Sequence, residues 1–237
     1  MVGELHVINQ VYKKYGLLGS IFYSVVAGPT ANFCVRFGVS PNAVTIIGFL
    51  IYLMGCYFLT SDRLDLRVLG FALLHLGVTF DYADGIVARK TGHTSFFGGW
   101  LDNSLDRAAD FAVFVPLAIS VALQSSLSQS AIIALVAYGA FSLIYPHYIH
   151  DIAYFHSVGS GVDKAETEGK ATTGLGRYFS SFGSAWLRMF NRDMFVFVMS
   201  LGLLFEVFLF PFIFVVLIST ANICLLGARE YVRAQNA

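Results

Sequence analysis

The feature that most constrains this chain is a succession of apolar stretches, each near the length a helix needs to cross a bilayer. A spanning helix takes about 20 mostly apolar residues. Six segments meet that test approximately: Asn42 to Thr60, Arg67 to Lys90, Gly99 to Leu123, Ser130 to Phe155, Arg192 to Phe205 and Val207 to Gly227. Glu206 and Pro211 interrupt the last two, which therefore read as a tight hairpin and not as one long helix. The expected fold is an all-α integral membrane protein of six transmembrane helices. Composition agrees: 57% of residues are hydrophobic and only 13% charged, too apolar for an ordinary soluble globule.

Gly16 to Phe37 is broken by Gly28, Pro29 and Asn32, and reads as an amphipathic interfacial helix lying on the membrane surface. Ser40-Pro41-Asn42 has the form of a helix start. The domains expected are thus residues 1–38, an N-terminal cytoplasmic and interfacial segment, and 39–237, the transmembrane catalytic domain. With a cytoplasmic N-terminus, every lysine and arginine except Arg63, Arg67 and Arg107 falls on the cytoplasmic side. The positive-inside rule favours that orientation and places both termini in the cytoplasm. No basic-then-apolar leader with a small-residue cleavage site opens the chain, so no signal peptide is expected. Zero formal net charge gives no basic field for nucleic acid. Cys34, Cys56 and Cys224 are far apart and in or beside apolar stretches, reading as inert buried thiols. His156 to Arg188 is polar and glycine-rich, too long for an idle connection.

Charges inside membrane helices are costly and mark function by default. Asp81 and Asp84 share one helix face, as do Asp102 and Asp106 on the next helix. The topology brings both pairs to the same cytoplasmic surface, facing one another across a hairpin. Four carboxylates in one low-dielectric pocket repel strongly, and hard divalent cations relieve that repulsion. Two such ions can bridge a pyrophosphate and stabilise an in-line displacement. Gly85, Ala88 and Gly98 leave room for a nucleotide or a neighbouring helix, and Arg89 suits phosphate. Asp110 continues the Asp102–Asp106 face by one turn, either supporting Arg107 or lining the pocket more deeply.

The spacing Asp81-x2-Asp84-Gly85-x2-Ala88-Arg89-x8-Gly98-x3-Asp102-x3-Asp106 resembles the complete signature of the CDP-alcohol phosphotransferases (CDP-alcohol phosphatidyltransferases). At average residue frequencies its chance occurrence is on the order of 10⁻¹⁰ per start position. The resemblance implies that Asp81, Asp84, Asp102 and Asp106 hold two divalent ions, Mg2+ or Mn2+. It implies Asp106 as the catalytic base toward an acceptor hydroxyl. Asp81, Asp84, Gly85, Ala88, Arg89 and Gly98 would bind the CDP donor, and the alcohol would attack phosphorus with release of CMP. It further implies a homodimer, and a phospholipid-synthesis enzyme of a prokaryotic plasma membrane.

A site at the bilayer surface suits a lipid donor, CDP-diacylglycerol, with a small polar alcohol as acceptor; a CDP-linked soluble alcohol is the alternative donor. Lys170, Arg177, Arg188 and Arg192 fall on the same face and suit a phosphorylated acceptor, or else anchor to anionic membrane lipid. Arg192 stands out because it opens an apolar helix beside Asp193. His147 and His150, three apart, are further acceptor candidates, or snorkelling side chains. A membrane prenyltransferase also grips pyrophosphate with aspartates, but lacks the Gly85-x2-Ala88-Arg89 segment. A carboxylate-lined ion transporter would need acids at mid-bilayer and a permeation path; no internal repeat supports that reading.

Overall fold

The computed structural model describes residues 18–124, 128–160, 190 and 192–235. Among them there is no strand. A π-helical turn, Gly19–Tyr23, leads into seven α-helices: α1 Ser24–Arg36, α2 Pro41–Leu59, α3 Leu64–Thr91, α4 Phe96–Gln124, α5 Gln129–Ser160, α6 Arg192–Phe205 and α7 Leu209–Gln235. All six segments expected to span are helical. The chain divides into two compact units. The first contains α1 to α4, α6 and the opening turn of α7; the second contains α5 and the rest of α7.

Local chemistry sets the helix ends. Ser40 caps α2, its hydroxyl accepting the Ala43 amide at 3.3 Å, with Pro41 at the first helical position, where its missing N–H costs nothing. Gly92 stops α3 in the left-handed conformation (φ 70°), and the His93 amide returns to the Ala88 carbonyl at 3.0 Å, the usual way a helix C-terminus is closed. Only three residues then separate Gly92 from α4. The acidic end of α3 and the acidic start of α4 therefore emerge side by side.

In the first unit, α2 packs on α3 more extensively than any other helix pair. Glycines explain the closeness. Gly48 and Gly55 of α2 lie against Gly77 and Gly70 of α3, and a Cβ added at any of the four would sit within 2.8 Å of an atom of the facing helix. Small residues let helix backbones approach in a membrane, where apolar burial drives little association. α1 rests on α3 through Ala27, Ala31 and Cys34, packed with Ala83 and Val87, and Lys90 hydrogen-bonds Asn32. Below, Tyr23 Oη lies 2.6 Å from His75 Nδ1, and His75 Nε2 is 3.1 Å from Ser200 on α6. At the opposite end of α3 from the aspartates, buried Arg67 donates to the carbonyls of Leu204 (3.1 Å) and Ser61 (3.2 Å) and pairs with Glu206.

Among the described residues, three helices are long and apolar enough to cross a membrane: Pro41–Leu59, Leu64–Thr91 and Leu209–Ala228. Two of the other expected spans depart from that pattern for identifiable reasons. α4 carries Asp102, Asp106, Arg107 and Asp110 in its first half. α6 has 14 residues, about 21 Å, against a hydrocarbon core of about 30 Å. Large apolar side chains cover the outside of the first unit, among them Val25, Phe33, Ile46, Leu50, Met54 and Val68. Exposed apolar side chains of this size and number belong in lipid.

The structure amends several expectations. The described part of the Gly16 to Phe37 segment, from residue 18 on, is less broken than its composition suggests, because α1 continues through Pro29. The segment beginning at His156 is helical as far as Ser160. Cys34 and Cys56 are buried as expected, but Cys224 is exposed. The break between α6 and α7 falls at Glu206, in the left-handed conformation (φ 58°). Pro211 lies just inside α7 against Gly202.

Candidate functional site

The first unit assembles the acidic residues from two helices. Asp81 and Asp84 come from the last third of α3, and Asp102, Asp106 and Asp110 from the first half of α4. One carboxylate oxygen each from half-buried Asp81, Asp102 and Asp106 lies within 4.8 Å of the other two. Hard divalent cations take oxygen ligands at about 2.0–2.6 Å, so three such atoms around one ion would be separated by about twice that distance or less. The donor set, all carboxylate oxygen, fits Mg2+ or Mn2+ in chemistry.

Asp84 stands slightly apart from this trio. Its carboxylate is buried and accepts the Thr45 hydroxyl of α2 at 2.6 Å. Thr45 is thus a member of the site that periodicity alone did not single out. The available signal was a hydroxyl inside an otherwise apolar helix, on the face that carries Gly48, Tyr52 and Gly55.

Arg192 is the central cation. Its Nη1 lies 2.8 Å from Asp106 and 3.4 Å from Asp81, while Nε donates to Asp110 at 2.7 Å. Arg107 contacts Asp110 at 3.3 Å and Asp106 at 3.9 Å. Asp110, almost fully buried, therefore holds both arginines in place. Arg192 reaches into the carboxylate cluster itself, and the neighbouring Asp193 points elsewhere, accepting the Tyr82 hydroxyl.

The remaining motif residues gather at the same end of the bundle. The guanidinium of exposed Arg89 lies over Gly85, where an added Cβ would come 3.2 Å from Nη1. Ala88 is half-buried beside it. Gly98 faces Asn42 at the start of α2, with an added Cβ 3.2 Å from Oδ1. A side chain at Gly85 or Gly98 would thus press on Arg89 or on Ser95 and Asn42 and push them aside. Of the acceptor candidates, Lys170, Arg177 and Arg188 lie outside the described residues. His147 and His150 lie on α5 of the second unit, where the structure describes the helix but not these side chains.

Apolar helices of spanning length and a clustered set of carboxylates describe the class: an integral membrane protein with a candidate site for a divalent cation. The chain belongs to the CDP-alcohol phosphatidyltransferase family, whose model matches residues 38–208; it is an enzyme of that class, a transferase of phospholipid synthesis. It is 40% identical over 82 residues to archaetidylinositol phosphate synthase of Pyrococcus horikoshii, a match covering 35% of this chain and 42% of that one. It is 39% identical over 93 residues to phosphatidylinositol phosphate synthase of Streptomyces avermitilis, covering 39% and 37% respectively. The chain thus matches less than half the length of these named relatives. Its fold is that of phosphatidylinositol phosphate synthase from Mycobacterium tuberculosis. The form with manganese and citrate gives a TM-score of 0.58 at 20% identity, over 87% of this chain and 88% of that one. The form with CDP-DAG bound gives 0.56 at 21% identity, over 87% and 92%.

Proposed function

We propose that this enzyme transfers a phosphatidyl group from CDP-diacylglycerol to the hydroxyl of a small phosphorylated alcohol, inositol phosphate first among the candidates, releasing CMP. The observation that carries the reading is the meeting of Asp81, Asp102 and Asp106 within 4.8 Å. The acceptor class draws support from the inositol phosphate synthases among its relatives.

In this scheme Asp81, Asp102 and Asp106 bind divalent cation, and Asp84, steadied by Thr45, supplies a further carboxylate. The bound ions screen the pyrophosphate and make CMP a better leaving group. Gly85 and Gly98 leave space for the CDP moiety, Ala88 lines it, and Arg89 pairs with phosphate. Asp106 takes the acceptor's hydroxyl proton. The freed oxygen bonds to the lipid-bearing phosphorus as the phosphorus–oxygen bond to CMP breaks. Arg192, beside Asp106, draws in the acceptor's phosphate.

The membrane arrangement belongs to the same proposal. Helices α2 to α7 cross the bilayer, α6 with its 14 residues being the shortest of them, residues 1–38 lie at the cytoplasmic surface, and residues 39–237 form the catalytic domain as a homodimer. The charged half of α4 is tolerable in lipid because it packs on α2 and α6, leaving its later residues Val115, Ile119 and Leu123 exposed.

The direct test is an acceptor panel with radiolabelled CDP-diacylglycerol. CMP and labelled lipid are expected with inositol phosphate, only when Mg2+ or Mn2+ is present, and more slowly with glycerol phosphate, inositol or serine. Equal CMP release with no acceptor, or turnover in excess chelator, would overturn the scheme.

A second expectation concerns Arg192→Ala. Losing this cation leaves Asp81, Asp106 and Asp110 close together, and breaking a buried ion network in this way costs about 3–5 kcal/mol. The thermal midpoint is expected to fall in chelator and to recover with Mn2+, which restores the missing positive charge. KM for the phosphorylated acceptor is expected to rise more than KM for the CDP donor. An equal rise in both would remove Arg192 from the acceptor site.

A further inference from the structure

The reaction scheme leaves the Tyr52 hydroxyl without a task. Tyr52 lies on α2 two helical turns beyond Thr45 and is only 2% exposed, yet its hydroxyl has no hydrogen-bond partner. An orphaned buried donor is rare in folded proteins and calls for a physical explanation. Tyr52 borders a half-open cavity of about 20 Å3 whose wall also includes Thr45, Asp81, Asp106 and Arg192. Arg192 and Asp110 lie within electrostatic reach of the phenol. One water molecule needs roughly 10–15 Å3 and two to four polar partners; this cavity meets both requirements.

We propose that a single structural water occupies this cavity and joins the Tyr52 hydroxyl to the Asp106 carboxylate. The phenol donates its proton to the water oxygen. The water donates to an Asp106 oxygen, and Arg192, already 2.8 Å from Asp106, borders the same space as a third partner. Tyr52 is then a positioning residue: acting through the water, it fixes the rotation of the Asp106 carboxyl group. Outer partners of this kind typically change metal affinity or activity by 10–100-fold when removed. The kinetic part of this inference rests on the proposed role of Asp106 as base.

The test compares Tyr52→Phe and Val78→Ile with wild type, using purified full-length protein. Val78 shares the cavity wall, and the added methyl displaces a water while leaving Tyr52 intact. Tyr52→Phe is expected to lower the thermal midpoint of metal-free protein. It is also expected to reduce kcat about tenfold with KM for donor and acceptor unchanged. Val78→Ile is expected to reproduce the kcat loss. If the cavity is dry, removing an unpartnered hydroxyl leaves the midpoint unchanged or raises it, and that result overturns the inference. Full kcat in Val78→Ile beside a slowed Tyr52→Phe would also overturn it, as would a rise in KM in place of the fall in kcat. Wild-type protein releasing no CMP would sink the reaction scheme; the midpoint comparison, made without substrate, would still decide the water.

Discussion

Asp106→Asn is expected to abolish CMP formation while leaving a folded protein. Asparagine keeps the shape of the side chain and one oxygen to accept from Arg192, whose Nη1 lies 2.8 Å from Asp106. What it loses is the negative charge, which serves both as a proton acceptor and as a cation ligand. General-base catalysis alone contributes about 10²–10⁴-fold, so kcat is expected to fall at least about a hundredfold from that loss, with loss of cation affinity adding to it. Measuring Mn2+ binding by electron paramagnetic resonance separates the two effects. Unchanged Mn2+ affinity with lost turnover assigns Asp106 to proton transfer alone. Parallel loss of both assigns it to the cation as well. Near-normal turnover in Asp106→Asn would exclude it from the chemistry.

Helix positions were legible because each depends on short-range information. Apolar runs marked the helices, Ser40-Pro41 marked the start of α2, and Glu206 marked the break between α6 and α7. The motif likewise placed Asp81, Asp102 and Asp106 together, since two helices and a short turn suffice to join them. What stayed hidden depends on contacts between residues distant in sequence. Thr45 meets Asp84 across 39 residues, and Arg192 meets Asp81 across 111. Nothing in local periodicity says which polar residue of α2 will face an aspartate of α3, or that Arg192 turns into the cluster while Asp193 turns to Tyr82. Glycine spacing was the missed clue. Gly48 and Gly55, like Gly70 and Gly77, recur at seven residues, and that repeat fixes which faces of α2 and α3 meet.

Gly55→Val is therefore expected to be the most damaging single substitution outside the acidic cluster. A Cβ at Gly55 would lie 2.4 Å from the Leu74 amide nitrogen, 2.7 Å from the Gly70 oxygen and 2.8 Å from the Leu74 Cα. All three are backbone atoms, so no rotamer change can relieve the clash and the helices must separate. Overpacking of side chains costs about 1–3 kcal/mol; displacement of two backbones over a shared face is expected to exceed that. Gly28→Ala is the control, because nothing lies within 4 Å of an added Cβ there and alanine favours helix by about 0.5–1 kcal/mol. Size-exclusion profiles and thermal midpoints in detergent should rank Gly55→Val far below wild type and Gly28→Ala at or above it. Gly48→Ala is expected to act differently, because Gly48 is one turn from Thr45. Its Cβ would meet Phe80 Cβ at 2.6 Å, prising α2 from α3 where Thr45 reaches Asp84 at 2.6 Å. Activity should then fall further than stability. A Gly55→Val protein with the wild-type midpoint would show that close packing of these glycines does not hold the two helices together; a Gly48→Ala enzyme losing only stability would break the link from that packing to the site.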